Sequence, residues 1–405
     1  MIADTLGFFE SRRALIARAL AALVPASGPM RESMERIVEF CGRGKMIRGC
    51  LVFLGAEAAQ ERLSATAVAG GGAESAGIPL AAARGDLASI AAAMELFQAG
   101  LLAHDDIMDR DELRRGAPTI HARYAAETRA RAADPRAADA WATDAGAGSL
   151  CACDDIVPET AQHVGESLAI CLGDLCYFKA FEALALALEG NARQGEIVGL
   201  CAAGLGEVAV AQMADVAWGA DSAEVPEEEI LAMYRGKTAH YSFSMPLAVG
   251  ALAAAGAGGG RAAAEGPGDI VGRLYELGER LGILFQIRDD ELGLFGVPES
   301  IGKAPGSDLR EGKKTLFRSR LLAAAPASER KRLRVLFGGG AEPRAEDIAY
   351  IRSLSEKLGV ARSIAEMSRR AEGDALAIVG ALPSLAPEAR SVFEGLVEYV
   401  TRRER

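Results

Sequence analysis

Residues 98–121 read "QAGLLAHDDIMDRDELRRGAPTIH", an apolar run that ends in Asp105, Asp106 and Asp109, with Arg114 and Arg115 soon after. Laid on a helix, Met94, Phe97, Leu101, Asp105 and Met108 share one side, and Asp109 follows Asp105 by one turn. Two carboxylates about 6 Å apart repel by roughly 3 kcal/mol at an effective dielectric near 20. A cation between them reverses the sign. All-oxygen ligands point to magnesium, which bridges a few carboxylates to substrate phosphates, rather than to zinc. The two guanidiniums suit phosphate oxygens. A solvated acidic helix end is the plain alternative for this segment taken alone.

A second segment, "LGILFQIRDDELGLFGVPESIGKAPGSDLREGKKTLF" (281–317), repeats the pattern. An apolar helix runs into Asp289 and Asp290, with Gln286 about a turn earlier, and the loop beyond supplies Lys303 and Lys313 around Asp308. Two apolar helices, each ending in paired aspartates followed by cations, describe a greasy cavity with metal at its mouth. His104 and His121 flank the first pair, and hydrogen-bonding roles are expected of them, because oxygen already suffices for magnesium.

The elements that must hold these groups are helical. The chain has 405 residues, half of them hydrophobic and only 5% aromatic, and no alternating strand pattern stands out. A net charge of −11 gives no global field for nucleic acid, so anions must be held by local cations or metal. Seven cysteines, odd in number and irregular in spacing, fit buried hydrophobes and a loop pair (Cys151, Cys153) in a reducing cytoplasm. The start has acid before its apolar residues, unlike a signal peptide. The stretch nearest to a membrane span, "IVGLCAAGLGEVAVAQMADVAW", is interrupted by Glu207, Gln212 and Asp215, so a soluble protein with no transmembrane segment is expected. Residues 64–86 and 253–269 read as Ala/Gly loops, and 122–162 as a flexible insertion in a single domain spanning 1–405.

These residues resemble the trans-isoprenyl diphosphate synthase (polyprenyl synthetase) family. "HDDIMDRDELRRGAPTIH" is similar to its first aspartate-rich motif; "FQIRDDELG" and "GKAPGSDLREGKKT" are similar to the second motif and its lysine loop. "GRGKMIRG" (42–49), "LGDLCYFKAFEAL" and "YRGKTAHYSFSMP" complete six motifs in family order, over residues 40 to 370 or so. The resemblance implies an all-α isoprenoid synthase fold, a large antiparallel helical bundle around a central apolar cavity, in a homodimer. It implies condensation of isopentenyl diphosphate with an allylic diphosphate. Asp105 and Asp109 would bind two magnesium ions and Asp289 a third. Arg114, Lys237, Lys303 and Lys313 would hold the allylic diphosphate, and Lys45, Arg48, Gln98 and Arg115 isopentenyl diphosphate. Thr238 and Gln286 would stabilise the allylic cation through their dipoles. Two departures stand out: Gly293 where many members carry a third aspartate, and, in the first binding motif, Met46 where a basic residue is frequent and Gly49 where proline is frequent.

Other readings are a class I terpene cyclase, which would have no use for Lys45, Arg48 and Arg115, and a non-catalytic partner subunit, which would be expected to lose an aspartate pair or the lysine loop. For product length, Gly100 and Leu101 stand at the positions where the family's short-chain members carry aromatic plugs. The next bulky residue on that face is Phe97, so the floor drops by about 4.5 Å, or one isoprene unit. A twenty-carbon product, geranylgeranyl diphosphate, is expected, with fifteen carbons or chains of twenty-five and above as alternatives. A floor on another helix, with Phe97 in the core, is the competing arrangement.

Overall fold

The computed structural model describes residues 2–69, 80–133, 158–221, 223–257, 269–296, 306, 309, 312–338, 343–383 and 385–403. Lys303, Asp308, Cys151 and Cys153 lie outside them, as do the middle of the 122–162 stretch and the glycine triplets of both Ala/Gly stretches. The described residues are almost wholly helical and form two compact units.

The first unit comprises residues 1–24, 45–95 and 181–405. Its helices are α1 (Ile2–Ala22), α3 (Ile47–Ala69), the first part of α4 (Leu80–Met108), α7 (Gln194–Ala220) and α8 (Glu227–Tyr234). A π-helical segment (Arg235–Ser244) then leads into α9 (Met245–Gly256) and α10 (Asp269–Phe295). Five more follow: α11 (Leu316–Ala324), α12 (Ala327–Phe337), α13 (Ala345–Lys357), α14 (Val360–Ala381) and α15 (Pro387–Arg402). Helix α9 packs on α3 and is buried along almost its whole length, because its residues are nearly all small or aliphatic. A second core gathers Tyr234, Ile283, Ile287, Leu316, Phe317 and Phe337. Thr315 caps α11, its hydroxyl accepting from the Arg318 amide at 3.3 Å.

The second unit comprises residues 25–44 and 96–180: α2 (Met30–Gly42), the end of α4, α5 (Ile120–Ala133) and most of α6 (Pro158–Ala187). A small hairpin pairs Leu113 with Pro118 and Arg114 with Ala117. Its turn has Arg115 at φ 56° and Gly116 at φ 73°, both in the left-handed region, as such a tight antiparallel turn needs. Arg36 and Arg123 tie α2 to α5 through Glu127 and Glu39 at 2.8 Å.

Several edges read as loops prove helical: residues 64–69 end α3, 80–86 begin α4 and 253–256 end α9, since these edges are rich in alanine. Residues 122–133 continue α5, since "ARYAAETRARAA" contains neither glycine nor proline and is rich in helix formers. Pro158 starts α6 at a first-turn position where its missing N–H costs nothing. Residues 86–108 and Gln194–Ala220 are long and apolar enough to cross a membrane, by length and composition only. The first is 72% buried in its most apolar window, as a core helix is; the second is 28% buried. Helix α7 instead turns Glu207 and Asp215 toward partners in its own unit and leaves Val210, Met213 and Val216 at 68%, 71% and 51% exposure.

Candidate active site

In the second unit, the end of α4 presents Asp105 and Asp109, both half-buried and one turn apart. Asp106 turns inward and is wholly buried. The hairpin returns Arg114 into this cluster. Its Nε donates to Asp106 Oδ1, and its Nη2 stands 3.5 Å from both Asp105 Oδ2 and Asp111 Oδ2. Burial pushes the Asp106 carboxyl up to about 6 despite this guanidinium. Asp106 Oδ2 is buried without a hydrogen bond, a carboxylate oxygen with unused acceptor capacity. The Arg115 guanidinium lies over Gly44, beside the "GRGK" segment. Gln98 is half-buried. His104 and His121 both reach backbone carbonyls, Ile170 at 3.1 Å and Asp111 at 2.9 Å.

In the first unit the π segment carries Lys237 and Thr238. Wider-than-α winding of this kind is rare and concentrates at functional sites. Lys237 Nζ bonds Asp215 Oδ2 of α7 at 2.5 Å. Thr238 donates its hydroxyl to Gln286 Oε1 at 2.6 Å, and Gln286 Nε2 donates to Asp290 Oδ1 at 2.8 Å. Tyr234 donates its hydroxyl to Asp290 Oδ2 and accepts the Leu316 amide at 2.9 Å. Asp290 is thus a buried anchor, 7% exposed, whereas the Asp289 side chain is 45% exposed. Gly278 and Gly282 on α10 make this approach possible: a Cβ at either would come within 2.4 Å of backbone at Ser244 or Ala239. Arg48 Nη2 reaches Ser242 Oγ of the π segment at 2.5 Å, and its guanidinium lies 4.7 Å from the Tyr241 ring centroid. Lys45 is exposed and donates to Tyr399 of α15 at 2.9 Å. Lys313 is half-buried. The glycine in place of proline has a local reason: Gly49 N–H donates to buried Glu95 at 2.8 Å, which proline could not do.

Sequence reasoning missed Asp215, Tyr234, Tyr399 and Arg403 as partners of the candidate residues. Asp215 left a signal, one of the acids that interrupt a mostly apolar helix. The others sit far in sequence from the residues they touch. Among the described residues no three acidic, His or Cys groups gather in ligating geometry; guanidiniums stand among the carboxylates instead. The donors fit magnesium in kind: half-exposed carboxylates, hard oxygens only, with the orphaned Asp106 oxygen beside them.

A family model for polyprenyl synthetases matches residues 30–138 and 157–354, passing through both units and every described motif. The chain belongs to the polyprenyl synthetase family. It is similar to the geranylgeranyl diphosphate synthase of Saccharolobus solfataricus, 33% identical over 260 residues. That match spans 64% of this chain and 62% of that enzyme's length. It is similar to the geranylfarnesyl diphosphate synthase of Aeropyrum pernix, 29% identical over 314 residues, 78% of this chain and 82% of that enzyme. Its fold matches the crystal structure of geranylgeranyl pyrophosphate synthase from Corynebacterium glutamicum complexed with isoprenyl diphosphate and magnesium. The TM-score is 0.75 at 26% identity, covering 98% of each chain.

Proposed function

We propose that this protein is a magnesium-dependent prenyltransferase that joins isopentenyl diphosphate to an allylic diphosphate, giving an all-trans polyprenyl diphosphate of twenty carbons. The observation that carries the reading is the pair of neutral dipoles, Thr238 and Gln286, bonded at 2.6 Å between the π segment and α10, which also bear Lys237 and Asp289. Dipoles stabilise a carbocation without capturing it, and cations beside them hold the diphosphate that leaves. The carboxylates beside them are engaged, Asp290 by Gln286 and Tyr234 and Asp215 by Lys237, in keeping with a proton that departs with the diphosphate.

Magnesium on Asp105, Asp109 and Asp289 would supply charge to the leaving diphosphate. Lys237 and Lys313, with Lys303 and Arg114, take the allylic diphosphate oxygens, and Lys45, Arg48, Gln98 and Arg115 take those of isopentenyl diphosphate. Thr238 and Gln286 face the allylic carbons. The apolar surroundings exclude water that would quench the cation. The twenty-carbon product is supported by the likeness to a geranylgeranyl diphosphate synthase, although another relative carries a longer-chain name. The exposed valine and methionine stripe of α7 supports a homodimer. On that reading Met213→Glu gives a monomer by light scattering, and an unchanged mass would remove α7 from the interface.

The test supplies labelled isopentenyl diphosphate, farnesyl diphosphate and magnesium, followed by chromatography of the dephosphorylated products. A twenty-carbon alcohol that disappears in Asp105→Ala is the expected result. No condensation with any allylic primer would overturn the reading.

A further inference from the structure

Within the second unit, the end of α4 and helix α6 meet at two glycines. A Cβ on Gly100 would stand 2.8 Å from the Gly173 carbonyl oxygen and 2.9 Å from Cε1 of Tyr177. A Cβ on Gly173 would stand 2.4 Å from His104 Nε2. Such approaches are closed to any side chain, so both positions need glycine. The place that a side chain at 100 would occupy is filled from α6, by the Tyr177 ring. His104 holds that ring edge-on, with centroids 5.7 Å apart and planes at 66°. The imidazole is itself fixed by the Ile170 carbonyl.

Exposure separates the candidates for a floor. Phe97 is 0% exposed and presents no surface to a substrate tail. Leu101, His104, Asp105 and Tyr177 are half-buried, and the contacts above put Tyr177 against this reachable strip of α4. A polyprenyl tail grows by five carbons per cycle, away from the carboxylates that hold its diphosphate. An apolar tail passing Leu101 meets the Tyr177 ring before anything at Phe97.

We propose that Tyr177, contributed by α6, sets product length in this protein, and that Phe97 is a core residue beneath it. The assignment rests on the prenyltransferase reading above. Gly100 then serves to admit the tyrosine rather than to open the channel.

The experiment compares wild type, Tyr177→Ala, Tyr177→Trp and Phe97→Ala in the same product chromatography, with thermal melts of each. Tyr177→Ala is expected to shift the main product up by at least one five-carbon unit, and Tyr177→Trp to shift it down. Phe97→Ala is expected to keep the wild-type length and to lose melting temperature. A folded, active Tyr177→Ala that stops at the wild-type length overturns the assignment, as does a longer product from Phe97→Ala alone. Should Tyr177→Ala lose its melting transition, Tyr177→Leu carries the same comparison. A folded wild type that condenses nothing overturns the prenyltransferase reading instead, which separates the two failures.

Discussion

Arg403 Nη2 stands 2.9 Å from Asp289 Oδ1, and the same guanidinium lies 3.9 Å from the Phe285 ring centroid. The Arg403 carbonyl also accepts from Arg288 Nε at 2.9 Å, so the end of α15 is held on α10. Arg403 is 13% exposed and Asp289 45%. The half-exposed carboxylate proposed as a metal ligand is therefore already engaged by a cation of the same chain.

Magnesium at Asp289 has to displace that guanidinium. A pair of this exposure is worth about 0.2–1 kcal/mol, which corresponds to as much as fivefold in affinity. Arg403→Ala is therefore expected to lower the magnesium concentration for half-maximal turnover severalfold, and calorimetric binding of magnesium with inorganic diphosphate should tighten in parallel. An unchanged magnesium requirement would show that Arg403 does not compete at Asp289.

Lys237 is held in the same way, by Asp215 at 2.5 Å. A diphosphate arriving at this lysine meets a carboxylate already bound to it. Asp215→Asn keeps the hydrogen-bonding shape and removes the charge. The expected outcome is a lower KM for farnesyl diphosphate, by up to about tenfold for some 1.4 kcal/mol, whereas Lys237→Ala raises it. A higher KM in Asp215→Asn would mean that the carboxylate positions the lysine rather than competing for it.

What the sequence disclosed follows from how local each feature is. Asp105 and Asp109 share a helix face at a spacing of four, and Gln286 and Asp290 do likewise, so single-helix geometry displays them. Thr238 on Gln286 or Arg403 on Asp289 joins residues 48 or 114 positions apart, and no periodicity reports that. The π segment was equally hidden, because "RGKTAHYSFS" announces no wider winding, and the glycines of α10 that lie against it are some forty residues away in sequence. At Gly100 the sequence showed a missing side chain. What fills the gap comes from Tyr177, beyond a stretch read as a loop insertion.

Stability should depend on pH through Glu227 at the start of α8. Arg320 clasps it with Nη2 at 2.6 Å and Nε at 3.0 Å, and this hydrogen bonding holds the Glu227 carboxyl below its ordinary 4.5. A carboxyl depressed in the folded state contributes stability that is full above about pH 4.5 and is lost as pH falls through the folded value. The side chain is 39% exposed, so solvent screening limits the contribution to about 0.2–1 kcal/mol. Glu227→Gln should melt below wild type at pH 7, with the gap closing under pH 4. A gap that persists at pH 3.5 would show that the loss is not electrostatic.

Helix α10 reaches the π segment only because residue 282 has no side chain. A Cβ there would lie 2.2 Å from Ala239 Cα, and neither backbone can swing aside as a side chain could. Gly282→Ala must push the helices apart, at a cost of about 1–3 kcal/mol or more. The displacement falls four residues from Gln286 and one from Thr238, so their 2.6 Å hydrogen bond lengthens. The expected result is a lower melting temperature together with a kcat loss larger than any change in KM, since the dipoles act on the cation and not on bound diphosphate. Gly373→Ala on α14 is the matched control. It is exposed, nothing lies within 4 Å of its added Cβ, and helix propensity alone should stabilise it by about 1 kcal/mol. If Gly282→Ala melts and turns over like Gly373→Ala, the close approach of α10 does not position the dipoles.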